Sequence, residues 1–289
     1  MREKATGRMV LGAGEVEYRW EPRGGPVVLV FHGGHLRAGL PLGEEVYREA
    51  GCSLLVPSRP GYGATPVTTA PAPGAFADAA AELCARLGVR RVAACVGVSA
   101  GGPTALAMAA RHPERVERLV LESAVGPLPW PGRRTAAVGR LLFGPRVEAL
   151  TWGAVRLLVH GAPGVALRVL LRDLTTGTAT RALAELGPQG RAEVAALMAA
   201  MRSGAGFAND LTWLRAGAWP GRPVAVPTLV VASPRDGSVP FGHAEALMAA
   251  IPGAELLVSG AACHFVWWGA DRPRVAERIT AFLAGPPGA

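Results

Sequence analysis

Short apolar runs alternate with stretches of helical periodicity along most of this 289-residue chain. Alternation of this kind predicts a mostly parallel sheet covered by helices, because parallel strands need crossover connections. The first apolar run is expected to pair as an antiparallel edge strand. The apolar runs lie near residues 14–20, 26–31, 52–57, 91–97, 116–122, 227–232 and 254–259, and the helical stretches near 43–50, 75–88, 100–111, 243–251 and 274–284.

The strand pattern disappears between about residues 126 and 222. This part holds helical patterns that are studded with arginine and broken by Gly-Pro pairs. We therefore predict an α/β core over residues 1–125 and 223–289 and a helical insertion over residues 126–222. The insertion is expected to form a cap or lid over a site at the sheet edge; the alternative is a helical insertion that packs elsewhere for stability.

A serine stands where a predicted strand passes into a predicted helix. Residues 97–101 read Gly-Val-Ser-Ala-Gly, between the apolar run 92–96 and the helical pattern 103–110. Such a turn strains the serine backbone and exposes its hydroxyl, while the glycines remove side chains that would clash. The pattern alone is only moderately specific in a chain with 38 glycines, and a plain turn residue is the alternative. The flanking strand and helix make Ser99 a candidate nucleophile.

A serine nucleophile needs a base that a third group orients. Asp236 follows the apolar run 228–232, which places it at the carboxyl end of a strand, where open α/β sheets have their sites. His264 lies on a loop just past the run 254–259. Nucleophile, acid and base therefore come in the order Ser, Asp, His. Glu122, at the end of an earlier strand, is the alternative acid.

The remaining histidines are expected to have supporting roles. His112 is read as structural, since it ends a helix before the next strand. His32 is expected to brace the loop in which it lies by hydrogen bonding. His35 is read either as a pocket wall or as a solvated loop residue, and His160 and His243 as surface or cap residues.

Five stretches of the chain resemble the α/β-hydrolase family, and together they span nearly all of it. They read Phe-His-Gly-Gly (31–34), Pro-Ser-Arg-Pro-Gly-Tyr-Gly (57–63), Gly-Val-Ser-Ala-Gly-Gly (97–102), Asp-Gly-Ser-Val-Pro (236–240) and Gly-Ala-Ala-Cys-His-Phe (260–265). Each stretch alone is weak evidence, but their order and spacing together are strong. The resemblance implies an α/β-hydrolase fold, with a mostly parallel central sheet flanked by helices and a helical cap insertion.

The same resemblance implies a role for each site residue. Ser99 would be the nucleophile, His264 the general base and Asp236 its orienting acid. The oxyanion hole would consist of the backbone N–H groups of Ala100 and Gly34.

Two positions depart from the family pattern. Ser58 stands where many relatives carry aspartate, which is expected to loosen that loop without affecting the chemistry. Cys263 stands where a glycine usually precedes the histidine, so the shape of the His264 loop is less well defined by the resemblance.

The activity that the resemblance implies is hydrolysis by a soluble serine hydrolase that needs no metal and no organic cofactor. A small to medium carboxylic ester is the expected substrate, because the insertion is rich in Leu, Val and Ala and its side chains Trp152, Trp213 and Leu214 would line an apolar pocket. Serine rather than aspartate at position 99 disfavours epoxide hydrolase and dehalogenase chemistry. Hydrolysis of a C–C, lactone or amide bond, perhydrolysis, and a non-hydrolytic cyclase or ligand-binding protein remain alternatives.

Composition adds little to this interpretation. The formal net charge is +8 and the isoelectric point about 10.3, but Lys4 is the only lysine and the arginines look scattered, as a GC-rich coding bias would produce. A small-molecule substrate is therefore expected rather than nucleic acid. Neither a signal peptide nor a membrane-spanning run is apparent, and the tail at 285–288 is expected to fray. Cysteines without metal spacing predict reduced thiols and a cytoplasmic protein; they are Cys52, Cys84, Cys95 and Cys263.

Overall fold

The computed structural model of the protein describes residues 3–217 and 219–285. Eight strands of this part form one sheet in the spatial order β1-β2-β4-β3-β5-β6-β7-β8, in which β3 to β8 run parallel and β2 is antiparallel to both neighbours. The strands are β1 (Gly7–Leu11), β2 (Gly14–Glu21), β3 (Val27–Phe31), β4 (Ser53–Pro57), β5 (Ala94–Val98), β6 (Leu119–Glu122), β7 (Thr228–Ala232) and β8 (Glu255–Val258).

The mostly parallel sheet predicted from the sequence is confirmed, with one correction at its edge. The first predicted run, now β2, is antiparallel as expected, but it is not the edge strand, because β1 pairs outside it. Sequence analysis missed β1 because its apolar run is only three residues long, Met9 to Leu11, and only Leu11 of the strand is buried. The predicted fraying of the tail beyond Gly285 falls outside the described residues.

Ten helices accompany the sheet within the described residues. They are α1 (Glu45–Glu49), α2 (Pro73–Arg86), α3 (Gly102–Arg111), α4 (Arg133–Phe143), α5 (Glu148–Gly161), α6 (Pro163–Leu174), α7 (Ala179–Ala200), α8 (Gly206–Leu214), α9 (Gly242–Ala250) and α10 (Arg272–Ala284). Alternate residues of β3 enter two different cores: Leu29 and Phe31 pack with α2, α3 and α9, while Val28 and Val30 pack with α1 and α10. Burial on both faces explains why the parallel strands read as continuous apolar runs.

Helices α4 to α8 lie between β6 and β7, in the part of the chain without strand signal. Helices α5, α6 and α7 pack on one another, and α8 packs on α4. Phe207, Leu211 and Leu214 of α8 form a small apolar core with Ala100, which directly follows Ser99, and with Val239, close to Asp236. This cluster joins the helical insertion to the carboxyl edge of the sheet.

Candidate active site

Ser99 lies at a strained turn between β5 and α3. Its φ of 51° is in the left-handed region, which non-glycine residues rarely occupy. A Cβ on Gly97 would lie 2.8 Å from Cβ of Ala105, and one on Gly101 would lie 2.1 Å from the carbonyl oxygen of Phe31. Both positions therefore require glycine, since the helix comes this close to the strand ends. Strain that the surrounding packing maintains is typical of a functional residue.

The loop after β3 lies directly against this serine. A Cβ on Gly33 would be 3.2 Å from Cβ and 3.8 Å from Oγ of Ser99. His32 holds the loop: its Nε2 accepts the backbone N–H of Arg59 at 3.0 Å, so its Nδ1 carries the proton and donates to the carbonyl of Gly33 at 2.8 Å. Burial, together with the charge of Arg59, lowers the pKa of His32 well below its usual value. This histidine is a neutral brace.

Among the backbone hydrogen bonds that residues 3–217 and 219–285 form outside regular helices and strands, none has the N–H of Gly34 or of Ala100 as its donor. Phe207 covers this region, since a Cβ on Gly34 would lie 3.6 Å from its Cδ2 and Ala100 belongs to the same apolar cluster. Unpartnered N–H groups next to a candidate nucleophile are the groups that an oxyanion hole needs.

Asp236 and His264 are in direct contact. Oδ2 of Asp236 lies 2.6 Å from Nδ1 of His264, and both side chains are buried. Oδ1 of Asp236 accepts the backbone N–H groups of Ser238 at 2.8 Å and Val239 at 2.9 Å. Since every oxygen has a partner, the carboxylate is fixed in orientation and fixes the imidazole in turn.

The end of α6 joins the loops that carry these two residues. The carbonyl oxygen of Leu174 accepts the backbone N–H of Gly237 at 3.1 Å and that of His264 at 2.8 Å. Oγ1 of Thr175 donates to the carbonyl of Ala262 at 2.6 Å. Sequence analysis gave no indication of this contact, because nothing local in Leu-Thr-Thr points to it.

Ser99 and His264 approach the same edge of the sheet from different strands. Among the hydrogen bonds of the described residues there is none between their side chains, a common condition in a ligand-free site. The segment after β6 links their backbones instead: Val125 donates its N–H to the carbonyl of Ser99 at 2.9 Å, and Ser123 donates its hydroxyl to the carbonyl of His264 at 2.9 Å.

Glu122, the alternative acid, faces other partners. Its carboxylate is fully buried and accepts the hydroxyl of Tyr47 at 2.5 Å and the indole N–H of Trp267. Burial raises the pKa of Glu122 to about 7, against the opposing effect of the two donors. The carboxylate that contacts His264 is that of Asp236.

The departure at Ser58 does not loosen its loop, so that expectation is wrong. The hydroxyl of Ser58 is fully buried, donates to Oε2 of Glu17 at 2.5 Å and accepts the backbone N–H of Ala38 at 2.8 Å. These bonds tie the loop to β2 on one side and to the segment after β3 on the other.

His35 lines an aromatic cluster, so of its two predicted readings the structure favours the pocket wall. Its ring centroid lies 4.2 Å from that of Phe207, 4.6 Å from that of Phe143 and 5.2 Å from that of Trp152. Its Nδ1 lies 2.7 Å from Oγ of Ser203, which accepts the indole N–H of Trp152 at 2.8 Å. Burial, with the nearby charge of Arg59, lowers the pKa of His35 to about 3.

The aromatic cluster contains one of the three insertion residues that were expected to line a pocket. Trp152 is buried within it, and Leu214 is buried in the neighbouring cluster around Ala100. Trp213 is 40% exposed, so it lies outside both. The expectation for Trp213 is wrong because it points away from the site face of α8.

A buried ion pair connects α8 to the loops beside Ser99, and sequence analysis missed it. The guanidinium of Arg59 makes two bonds to the carboxylate of Asp210, at 2.5 Å and 2.8 Å, and also donates from Nε to the carbonyl of His32 at 2.8 Å. Tyr62 donates its hydroxyl to the same carboxylate at 2.7 Å. Through these bonds one arginine holds both the helical insertion and the loop after β3.

Within the described ranges, no three His, Cys, Asp or Glu side chains are grouped so as to hold a metal ion, and no helix is long and apolar enough to cross a membrane. The four cysteines are unpaired and buried.

Comparison with known proteins agrees with the fold described above. A protein-family model described as alpha/beta hydrolase fold matches residues 26–154. An alpha/beta hydrolase fold protein from Nakamurella multipartita superposes with a TM-score of 0.82 at 26% sequence identity, over 96% of this chain and 99% of that one. The chain has the α/β-hydrolase fold and is a hydrolase.

Two relatives resemble this hydrolase over different lengths of the chain. An uncharacterized hydrolase of Bacillus subtilis (strain 168), YcgS, is 29% identical over 273 residues, which are 93% of this chain and 95% of that protein. A 2-hydroxy-6-oxononadienedioate/2-hydroxy-6-oxononatrienedioate hydrolase of a Pseudomonas species is 35% identical, but over 34% of this chain and 36% of its own length. The fold predicted from the sequence is therefore confirmed, whereas the bond that the enzyme cleaves is not given by these relatives.

Proposed function

We propose that this α/β-hydrolase is a serine hydrolase that cleaves a small to medium carboxylic ester through an acyl-enzyme. Ser99 is the nucleophile, His264 the general base, and Asp236 the carboxylate that orients it. The backbone N–H groups of Gly34 and Ala100 form the oxyanion hole. The observation that carries the proposal is the Asp236–His264 bond of 2.6 Å, at the sheet edge where Ser99 is held in a strained turn.

The reaction follows from these positions. Oγ of Ser99 attacks the ester carbonyl while Nε2 of His264 takes its proton, and the negative charge on the carbonyl oxygen is stabilised by the two N–H groups. The imidazolium then protonates the departing alcohol as the C–O bond breaks. Water, deprotonated by His264, attacks the acyl-enzyme, and Ser99 regains its proton as the acid leaves. Asp236 keeps Nδ1 protonated throughout, so that Nε2 is the basic nitrogen.

An uncharged, apolar acyl group fits the surroundings of the serine best. Residues 126–222 act in this proposal as the cap over a core formed by residues 1–125 and 223–289. The cap contributes Phe143, Trp152 and Phe207, which surround His35 next to the oxyanion loop. His35 is neutral over the physiological pH range because its pKa is about 3. The buried cation nearest to this loop, Arg59, is already paired with Asp210.

A second candidate is cleavage of a C–C bond in an oxo-acid of the kind that names the Pseudomonas relative. A dioate substrate would need a free cation at the site to bind its second carboxylate. Arg59 is not free, because its guanidinium is bonded to both carboxylate oxygens of Asp210. The ester is therefore the preferred substrate class. A panel of p-nitrophenyl esters and oxo-dienoates, assayed side by side, distinguishes the two.

Covalent labelling tests the nucleophile. A fluorophosphonate probe should form an adduct on the peptide that contains Ser99, as located by mass spectrometry, and Ser99→Ala should abolish labelling and lower kcat by several orders of magnitude. Ser53→Ala, which alters a buried serine of β4 far from the site, is the matched control and should label normally. An adduct on another serine of the folded protein would refute the assignment.

The cap residues offer a separate test of substrate choice. Trp152→Ala and Phe207→Ala should change the preference among acyl chain lengths by about 1–3 kcal/mol per methylene in contact, while the smallest ester is affected least. Trp213→Ala is the control, because this tryptophan is 40% exposed. A uniform loss for all esters in the first two variants would mean that the cap only stabilises the fold.

A further inference from the structure

The outer surface of helices α4, α5 and α6 is unusually apolar for an exposed surface. Nine of the thirteen large apolar residues that are exposed in the described chain lie between residues 133 and 174. Leu150 and Leu157 lie two turns apart on the same face of α5, and they are 74% and 78% exposed. The other seven are Val138, Leu141, Leu142, Val147, Leu158, Val165 and Val169. These nine residues differ from scattered surface leucines because they are concentrated on three consecutive helices. Each of these helices packs on the next one.

Residues 133–174, which form these three helices, carry most of the net positive charge of the chain. Residues 133–174 contain seven arginines and two acidic residues, a net of +5 out of the formal +8 of the whole chain. One of the acids, Glu148, turns inward and accepts the backbone N–H of Ser203. The arginines that appear scattered in the sequence are thus collected by the fold; they are Arg133, Arg134, Arg140, Arg146, Arg156, Arg168 and Arg172.

These arginines differ from many of those elsewhere on the surface. Exposed arginines of the core are commonly paired, as Arg86 is with Glu82, Arg272 with Glu49 and Arg278 with Glu255. None of the seven arginines between residues 133 and 174 forms an ion pair or a side-chain hydrogen bond with any residue of the described ranges. Their charge is therefore free to interact with an anionic partner.

Leucine and valine at exposed positions, interleaved with unpaired arginine, are typical of helices that lie in a lipid interface. We propose that the surface of α4, α5 and α6 docks on an anionic membrane surface, with the aliphatic side chains entering the acyl boundary and the arginines contacting phosphate headgroups. A second copy of this chain is a poorer occupant, because two surfaces of net charge +5 would face each other. Nucleic acid is poorer still, since leucine and valine give no stacking platform for bases.

Vesicle sedimentation tests this surface. The protein should sediment with vesicles of phosphatidylglycerol and phosphatidylcholine in equal parts, not with phosphatidylcholine alone, and 0.5 M salt (roughly a 4 Å screening length) should weaken the binding. Arg168→Glu/Arg172→Glu should reduce partitioning by about 30-fold or more, because each arginine contributes roughly fivefold near an anionic surface. Leu150→Ser/Leu157→Ser should reduce it by about tenfold, because the buried apolar area is lost.

The matched control carries the same change of charge outside the helical insertion. Arg23→Glu/Arg90→Glu alters two exposed arginines of the core, and its partitioning should stay within about twofold of the parent. The melting temperature of every variant should equal that of the parent. Equal loss in this control, or no sedimentation of the parent with anionic vesicles, would overturn the proposal. So would analytical ultracentrifugation in vesicle-free buffer that finds a dimer which Leu150→Ser/Leu157→Ser dissociates.

Discussion

The ends of β6 and β7 carry two carboxylates with different surroundings. Glu122 is the last residue of β6 and Asp236 follows β7, and both are buried at the same edge of the sheet. Glu122 accepts hydrogen bonds from a phenol and an indole, which are neutral groups. Asp236 accepts two backbone N–H groups and contacts an imidazole, which can take up a proton.

This difference shows that burial and position at a strand end do not by themselves define a catalytic carboxylate. Burial without a cationic partner raises the pKa of Glu122 to about 7, so the ionised form of this side chain lowers the free energy of unfolding. In the proposed mechanism, the carboxylate that orients the general base must instead face a group able to share a proton, and Asp236 faces the imidazole of His264.

Exchange of each acid for its amide should give the largest contrast. Asp236→Asn should lower kcat by about 10⁴-fold, because the amide favours the wrong tautomer of His264. Glu122→Gln should lower kcat by less than about tenfold, because Glu122 contacts neither Ser99 nor His264. Ester hydrolysis under saturating substrate measures both. The reverse ranking would assign the orienting role to Glu122.

Stability as a function of pH should separate the two carboxylates next. The pKa of Glu122 is about 7 in the folded protein against an ordinary 4.5, so the folded state binds the extra proton between these values. Stability is therefore highest below about pH 4.5 as far as this group is concerned, and falls as pH rises through 7. Relative to Glu122→Gln, the parent should lose about 3 kcal/mol of unfolding free energy between pH 4.5 and 8.

Urea unfolding of the parent and of Glu122→Gln at several pH values measures this difference. Parallel curves for the two proteins would show that Glu122 stays ionised in the core. Asp236→Asn is the comparison variant, and it should retain the pH dependence of the parent because Glu122 is intact.

The smallest expected effect comes from Thr175, which joins the end of α6 to the loop that carries His264. Thr175→Val removes the bond to the carbonyl of Ala262, worth about 1 kcal/mol, and should lower kcat/KM by about five- to tenfold while shifting the lower limb of its pH profile. Thr212→Val is the control, since its hydroxyl bonds only within the exposed turn of α8. An unchanged pH profile in Thr175→Val would limit this threonine to a structural role. The pH dependence of stability that Glu122 causes should be unaffected.

Local pattern was sufficient for the fold and for the order of the candidate site residues. The apolar run before Ser99 and the small residues after it define a strand, a turn and a helix within twenty residues, so the elbow can be read from the sequence. The choice between Glu122 and Asp236 could not be made this way. Both lie at the carboxyl ends of strands, and which one reaches His264 depends on how three loops pack together.

Contacts between distant parts of the chain were out of reach of the sequence. Arg59 and Asp210 are separated by 151 residues, and neither has a local pattern that points to the other. The arginines of α4 to α6 look scattered until the three helices pack side by side. Strand β1 was missed for a different reason, since an exposed edge strand needs little apolar surface.

The shared carbonyl of Leu174 limits how enzymes of this kind can be recombined. Its oxygen receives N–H groups from the loops of both Asp236 and His264, so one peptide unit sets the spacing between them. In a chimera, the helices before this peptide can be replaced by others of very different sequence. The junction must then lie before residue 174, and the segment from residue 174 to β7 must keep its length. A junction placed beyond it would change the spacing between Asp236 and His264, and the exchanged helices would then alter turnover together with substrate preference.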